Sequence, residues 1–154
     1  MEKFRYISGD NSFKREKFSG VNPSVTQDQD AIVSNGLFTA MPWNGIATIA
    51  VFPAYKFKRF ENDIFLIKGH KGAITDVQFS PFAPQLLAST SEDSTCKLWV
   101  LKDKNGLKGH MVDPAAELIG HNKKTLQCVW HHIAENTMAT TSVDNTVRMW
   151  DIES

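Results

Sequence analysis

The chain has 154 residues, 42% hydrophobic and 22% charged, a composition that fits a globular domain and excludes a disordered or collagen-like chain. Its 17 basic and 17 acidic side chains give a formal net charge of zero, which excludes the broad positive surface that binds nucleic-acid phosphates. The longest apolar run, residues 46–52, is too short to cross a bilayer, and the start of the chain lacks the apolar segment of a signal peptide. We therefore expect a cytoplasmic protein with no membrane-spanning segment and no nucleic-acid partner.

Two clusters of basic side chains lie in the first 60 residues. These residues carry eight basic and five acidic side chains, a formal charge of +3, whereas the remainder carries nine and twelve, a formal charge of −3. In one interpretation the clusters belong to solvated loops. In the other they form a basic surface that steers an acidic partner into place. The clusters comprise Lys14, Arg15 and Lys17, and Lys56, Lys58 and Arg59.

Residues 31–67 predict a first set of β-strands. Short apolar segments at 31–34, 37–41 and 46–52 are separated by Asn35-Gly36 and by a Pro-Trp-Asn-Gly sequence, both of which favour turns.

Residues 66–101 and 118–152 are two copies of one pattern. A Gly-His pair, a hydroxyl residue, an aspartate and a tryptophan each recur after 51 residues. Several polar and aromatic markers at one offset predict a repeat architecture. The corresponding residues are His70 and His121, Ser89 and Thr140, Asp93 and Asp144, and Trp99 and Trp150.

Each copy has the periodicity of strands. In the first copy, apolar segments at 74–79, 86–91 and 95–101 are separated by Pro-, Asp- and Ser-rich turns. The sequence has no amphipathic helix, so the predicted fold class is all-β. A second Gly-His pair at His110 has no aspartate or tryptophan at repeat spacing and is predicted to lie in a loop.

The two cysteines predict neither a metal site nor a disulfide. Cys96 and Cys128 lie 32 residues apart and lack the C-x-x-C spacing of zinc ligands. We expect both to be buried free thiols, and we predict no metal and no cofactor.

The Gly-His pair, an aspartate 23 residues after the histidine and a tryptophan six residues later are typical of WD repeats, which this chain resembles over residues 66–152. The resemblance implies a β-propeller in which His, Ser or Thr, Asp and Trp form a hydrogen-bonded chain within each sheet. Such a chain satisfies buried polar groups and fixes strand register. A nucleophilic triad of Ser89, His70 and Asp93 is the rival interpretation. It is disfavoured because the serine has no G-x-S-x-G turn and the constellation occurs twice.

The N-terminal region carries a narrower resemblance, to coronins. Lys14-Arg15-Glu16 follows a short predicted strand, Val25-Thr26-Gln27-Asp28 resembles the family's V-T-x-D sequence, and residues 105–121 resemble its N-G-L…P…L-x-G-H pattern. The resemblance implies a non-catalytic module of the cytoskeleton that binds filamentous actin and can contact other cytoskeletal proteins. Ser24 stands where many coronins have arginine. The alternative is a WD-repeat scaffold for a different protein partner.

The WD-repeat resemblance also divides the chain into blades, because each repeat supplies the outer strand of one blade and the three inner strands of the next. We expect a partial propeller of two blades and an incomplete third, in which the resemblance makes 64–67 the outer strand of the first blade and 117–119 that of the second. Its parts are an N-terminal extension typical of coronins at 1–30, a degenerate first blade at 31–67, a second blade at 68–119 and the incomplete third blade at 120–154.

This layout predicts how the 154-residue chain behaves alone. Propellers close with about four to eight blades, so we expect exposed strand edges and apolar faces that cause aggregation or assembly with further copies. Size-exclusion chromatography with light scattering, followed by a thermal melt, tests this expectation. A soluble monomer with a sharp cooperative melt would contradict it.

Overall fold

The computed structural model describes residues 19–23, 32–54, 64–102, 107 and 109–153. Within them the chain forms twelve β-strands and no helix, which confirms the all-β prediction. In chain order the strands are β1 (Val33–Ser34), β2 (Phe38–Pro42), β3 (Ile49–Pro53), β4 (Phe65–Ile67), β5 (Ile74–Phe79), β6 (Leu86–Ser91), β7 (Thr95–Val100), β8 (His110–Met111), β9 (Ala116–Ile119), β10 (Thr125–Trp130), β11 (Thr137–Ser142) and β12 (Val147–Asp151).

The strands form three sheets. The first has the order β1-β2-β3-β4-β8, the second β5-β6-β7-β9 and the third β10-β11-β12. Neighbouring strands are antiparallel, apart from the parallel pair β4 and β8. The second and third sheets are therefore built mainly from hairpins of consecutive strands.

The last strand of the first sheet comes from the insertion between β7 and β9. Leu66 pairs with His110 and Ile67 with Met111, and the Lys68 amide donates a hydrogen bond of 2.8 Å to the Met111 carbonyl. The prediction that His110 lies in a loop is therefore wrong. A parallel pair of two residues leaves no periodic signal in the sequence.

The strand predicted at 46–52 begins three residues later, at Ile49. The preceding residues form a turn closed by a 2.9 Å hydrogen bond from the Trp43 amide to the Thr48 carbonyl. Gly45 has a φ of +131° in this turn, a conformation that favours glycine.

The first sheet is buried on both faces. Alternate residues of a strand point to opposite sides of a sheet, and in β3 each of these two sets joins a different apolar cluster. Ile49 and Val51 of β3 join a cluster shared with the second sheet. Ala50 and Phe52 join a cluster with Val21 and other residues on the opposite face.

The second and third sheets pack face to face through a second apolar cluster. From the second sheet it contains Ala88, Cys96 and Leu98, and from the third it contains Cys128, Trp130 and Met138. Both cysteines are free and buried, as predicted. Contact with the Cys96 thiol, together with burial, raises the pKa of the Cys128 thiol well above its usual range.

Polar contacts join the same two sheets at a β-bulge in β5. The register shifts between Ile74 and Asp76, so that Thr75 and Asp76 both reach the third sheet. The Thr75 hydroxyl donates to the Thr125 carbonyl at 2.7 Å, and the Cys128 amide donates to the Asp76 carboxylate at 3.0 Å. These contacts fix the position of the second sheet relative to the third.

Candidate functional site

The second sheet contains a continuous chain of hydrogen bonds between side chains. His70 precedes β5, Ser89 lies in β6, Asp93 lies in the turn after β6, and Trp99 lies in β7. His70 Nδ1 lies 2.8 Å from Asp93 Oδ2 and its Nε2 lies 2.8 Å from Ser89 Oγ. The Trp99 indole donates to the same Ser89 Oγ at 2.8 Å.

The third sheet repeats this arrangement with threonine in place of serine. His121 Nδ1 lies 3.0 Å from Asp144 Oδ2 and its Nε2 lies 2.8 Å from Thr140 Oγ1. The Trp150 indole donates to Thr140 Oγ1 at 2.8 Å. The structure thus brings together all eight residues of the two predicted networks.

One pattern of donors and acceptors satisfies each network. If Nδ1 of the histidine carries the proton, it donates to the aspartate, while Nε2 accepts from the hydroxyl group that accepts the indole N–H. Ser89, Trp99 and Thr140 are fully buried. Each polar atom in this dry environment therefore has a partner, which is the condition for burying it at low cost.

The glycine of each Gly-His pair lies against the tryptophan of the same network. A Cβ atom at Gly69 would lie 2.4 Å from Trp99 Cη2 and 2.5 Å from the Val112 carbonyl oxygen. The corresponding atom at Gly120 would lie 3.0 Å from Trp150 Cη2. A side chain would displace the indole, so the close approach requires glycine in the second sheet.

Each aspartate also binds a threonine that the sequence analysis missed. Thr95 donates its hydroxyl and its amide to Asp93, and Thr146 donates the same two groups to Asp144. The two threonines are separated by the same 51 residues as the other markers. That spacing was the signal that could have identified them.

These contacts lower the pKa of both carboxyl groups. Burial opposes ionisation of Asp93, but hydrogen bonds from His70, Thr95 and the Lys71 amide outweigh it and hold the pKa well below its usual range. For Asp144 the hydrogen bond from Thr146 is the main cause of the lowered pKa, with further contributions from the Asn122 amide and His121. Both aspartates are thus held as anions in the turns.

The six basic residues predicted to contact a partner lie outside the described residues. Ser24, at the position where many coronins have arginine, also lies outside them. Their role remains a prediction from the sequence, and the six residues are Lys14, Arg15, Lys17, Lys56, Lys58 and Arg59.

The open face of the third sheet carries an apolar cleft of about 410 Å³. Its lining includes Val129 and Met149. At the 51-residue offset, Met149 corresponds to Leu98, which is buried between the second and third sheets. The cleft therefore lies on the face of the third sheet that corresponds to the face with which the second sheet packs against the third. Among the described residues there is no cluster of three metal-ligating side chains, and no helix long and apolar enough to cross a membrane.

Comparison with known proteins identifies the repeats and then the family. Residues 62–100 and 113–151, about half of the chain, match the family described as WD domain, G-beta repeat. A coronin-like protein, crn1, of Schizosaccharomyces pombe (strain 972 / ATCC 24843) is 31% identical over 98% of this chain and 26% of its own length. The crystal structure of the WD40 domain of Toxoplasma gondii coronin superposes with a TM-score of 0.82 at 26% identity, covering 90% of this chain and 36% of that one. The chain belongs to the coronin family.

Further similarities extend the coronin assignment to the N-terminal region. Residues 2–59 match a family described as a domain of unknown function, DUF1899. The coronin-like protein of Saccharomyces cerevisiae (strain ATCC 204508 / S288c) is 28% identical over 99% of this chain and 25% of its own length. Coronin-7 of Homo sapiens is 29% identical over 99% of this chain and 17% of its own length. This coronin chain therefore spans about a quarter of the length of the two yeast relatives. The matches to WD repeats and to a coronin WD40 domain confirm the prediction of a partial WD-repeat propeller.

Removing one hydroxyl group from a network should destabilise the coronin chain. We expect Thr140→Ala to lower the free energy of unfolding by about 1 to 3 kcal/mol, because it leaves the buried imidazole and the partly buried indole without their shared partner. Urea denaturation monitored by tryptophan fluorescence measures the change. Thr141→Ala, the next residue of β11, is the matched control because its side chain forms no hydrogen bond with the described residues. Equal losses in the two variants would contradict the prediction.

Acid should weaken the fold through the two aspartates. A free aspartate has a pKa of about 3.9. Because the pKa is lower in the folded state, the ionised aspartates stabilise the fold at pH values above about 3.9, and this stabilisation is lost as the pH falls below about 3.9. Urea midpoints measured from pH 7 to pH 3 should therefore decline. Asp93→Asn should reduce both the stability at pH 7 and the steepness of this decline, whereas Asp113→Asn, an exposed control, should retain the parent slope. An unchanged slope in Asp93→Asn would disprove the linkage.

Proposed function

We propose that this chain belongs to an actin-filament-binding protein and acts as a non-catalytic interaction module in the organisation of the actin cytoskeleton. Membership of the coronin family is the observation that carries the proposal, since filament binding is the role that the resemblance to coronins implies. The corresponding location is the cytoplasm, at the cytoskeleton. Other cytoskeletal proteins are further candidate partners.

The geometry of the buried networks supports a non-catalytic role. Ser89 has no exposed surface, and its Oγ atom is already engaged by the Trp99 indole and His70 Nε2. A nucleophile must reach its substrate with a free lone pair. In both sheets the hydroxyl group instead links the indole to the imidazole inside the sheet. The networks therefore support a structural role, in which they stabilise a fold that binds partners through its surface.

The proposed contact surface is the basic N-terminal region. Its 60 residues carry a formal charge of +3, and a local basic surface accelerates encounter with an acidic filament. We assign this role to the two clusters named above. We also propose that residues 1–30 form the extension, 31–67 the first blade, 68–119 the second and 120–154 the incomplete third.

A different protein partner is the second candidate. Ser24 occupies the position at which many coronins have arginine, so one cation of the expected contact is missing. A WD-repeat scaffold that binds another protein would have no need of that cation.

Filament co-sedimentation separates the two candidates. Lys14→Glu, Arg15→Glu and Lys17→Glu combined should reduce the fraction that pellets with filamentous actin, and added salt should reduce pelleting of the parent chain, because both weaken charge attraction. A triple variant of exposed lysines in the WD-repeat region, Lys68→Glu, Lys71→Glu and Lys123→Glu, is the matched control. It changes the net charge equally and should pellet like the parent chain.

Two outcomes would contradict the proposal in different ways. Equal loss in both triple variants would show that net charge alone governs pelleting and would remove the basic cluster from the interface. Absence of pelleting by the parent chain at low salt would favour a partner other than actin.

A further inference from the structure

Two Asn-Gly pairs lie in turns of the first sheet. Asn35-Gly36 follows β1 and precedes β2, and Asn44-Gly45 lies in the turn between β2 and β3. The third pair of the chain, at 105–106, lies outside the described residues. An asparagine before glycine is prone to deamidation, because glycine has no Cβ atom to shield its amide and adopts backbone conformations that other residues avoid. The two pairs differ in how firmly the structure holds the asparagine side chain.

Three hydrogen bonds hold the side chain of Asn35. Its Oδ1 atom accepts the amides of Leu37 at 3.0 Å and Phe38 at 2.9 Å, and its Nδ2 atom donates to the Pro84 carbonyl at 2.7 Å. The last of these bonds reaches the loop between β5 and β6 in the second sheet. Deamidation requires the face of the Asn35 amide to turn toward the Gly36 nitrogen, which breaks these bonds.

The side chain of Asn44 has no such restraint. It is exposed and forms no hydrogen bond with the described residues. The amide of Gly45, which is the attacking group, also donates no hydrogen bond to the described residues. Both reacting groups are therefore free to approach each other.

The reaction at Asn44 needs only water. The Gly45 nitrogen loses its proton to solvent base and attacks Asn44 Cγ, the bond from Cγ to Nδ2 breaks, and ammonia leaves. Water then opens the resulting succinimide ring at either of its carbonyl groups, which gives aspartate or isoaspartate. One water is consumed and one ammonia is released, and no electrons are transferred.

Asn44 lies where the N-terminal segment, residues 19–23, contacts the first sheet. Its amide donates to the Asn22 carbonyl at 2.9 Å, and the adjacent Trp43 forms an isolated antiparallel bridge with Pro23. An isoaspartate adds one carbon to the backbone directly after Asn44 and leaves a carboxylate on that residue. Both changes disturb the turn that holds this segment.

We propose that Asn44 is a site of spontaneous deamidation that loosens the N-terminal segment from the first sheet, and that the hydrogen bonds of Asn35 protect it from the same reaction. The proposal does not depend on actin binding.

Peptide mapping by mass spectrometry measures both sites in one sample. The 154-residue chain is incubated in mildly alkaline buffer, with and without guanidinium chloride, and is then digested with a protease. In the folded chain we expect Asn44 to be converted at least about tenfold faster than Asn35, because reaction at Asn35 breaks three hydrogen bonds. In guanidinium chloride, which removes the fold, the two sites should react at similar rates. Circular dichroism establishes that the chain without denaturant is folded at the start and end of the incubation.

Hydrogen exchange of residues 19–23 measures the loosening. These amides should exchange faster in the incubated chain than in the fresh chain, because local opening controls their exchange. Asn44→Gln is the matched control, since glutamine cyclises far more slowly than asparagine, and its exchange should be the same before and after incubation. If this variant does not fold, the fresh and incubated parent chains still provide the comparison.

Three results would overturn the proposal. The first is conversion of Asn35 and Asn44 at equal rates in the folded chain. The second is a tenfold difference that persists in guanidinium chloride, which would assign it to the neighbouring sequence instead of the fold. The third is an incubated chain that carries isoaspartate at residue 44 but has unchanged exchange at residues 19–23.

Discussion

The hydrogen-bonded chain from tryptophan through hydroxyl and imidazole to carboxylate is the constraint on which the two repeat sheets depend. In the second sheet it ties the segment before β5 to the middle strand, to the turn after that strand and to β7. No member can move without leaving a buried polar atom unpaired, at a cost of about 1 to 3 kcal/mol. The glycine beside the histidine belongs to the same constraint, because the indole of Trp99 occupies the space that a Cβ atom would need.

The packing of one sheet on the next depends on a separate set of contacts. The bulge in β5 turns two consecutive polar residues toward the neighbouring sheet, where Asp76 accepts the Cys128 amide. The apolar cluster around Trp130 and Met138 packs the two sheets against each other. Dispersion and burial thus hold the sheets together, while the polar contacts select one relative position.

The sequence predicts the internal network of each sheet well because every member is marked by its residue type and by one 51-residue offset. Thr95 and Thr146 share that offset and were available to the same argument. Asp76 was not, since it bonds a neighbouring sheet and its counterpart in the third sheet is Gln127. The β4–β8 pair is likewise fixed by long-range contact alone. The function of the basic clusters cannot be predicted from a repeat offset, because the function of a charged side chain depends on the partner surface that it contacts.

The strand β8 has a consequence for the order in which the chain assembles. Repeat proteins often fold as nearly independent units, each stabilised by its immediate neighbours. Here residue 110 adds to a strand that contains residue 66, so the edge of the first sheet forms only after the intervening sheet has brought the two segments together. Loop closure of this kind slows folding. Because β8 belongs to the insertion between β7 and β9, unfolding of the second sheet would also remove the hydrogen bonds between β4 and β8, so the edge of the first sheet depends on the second.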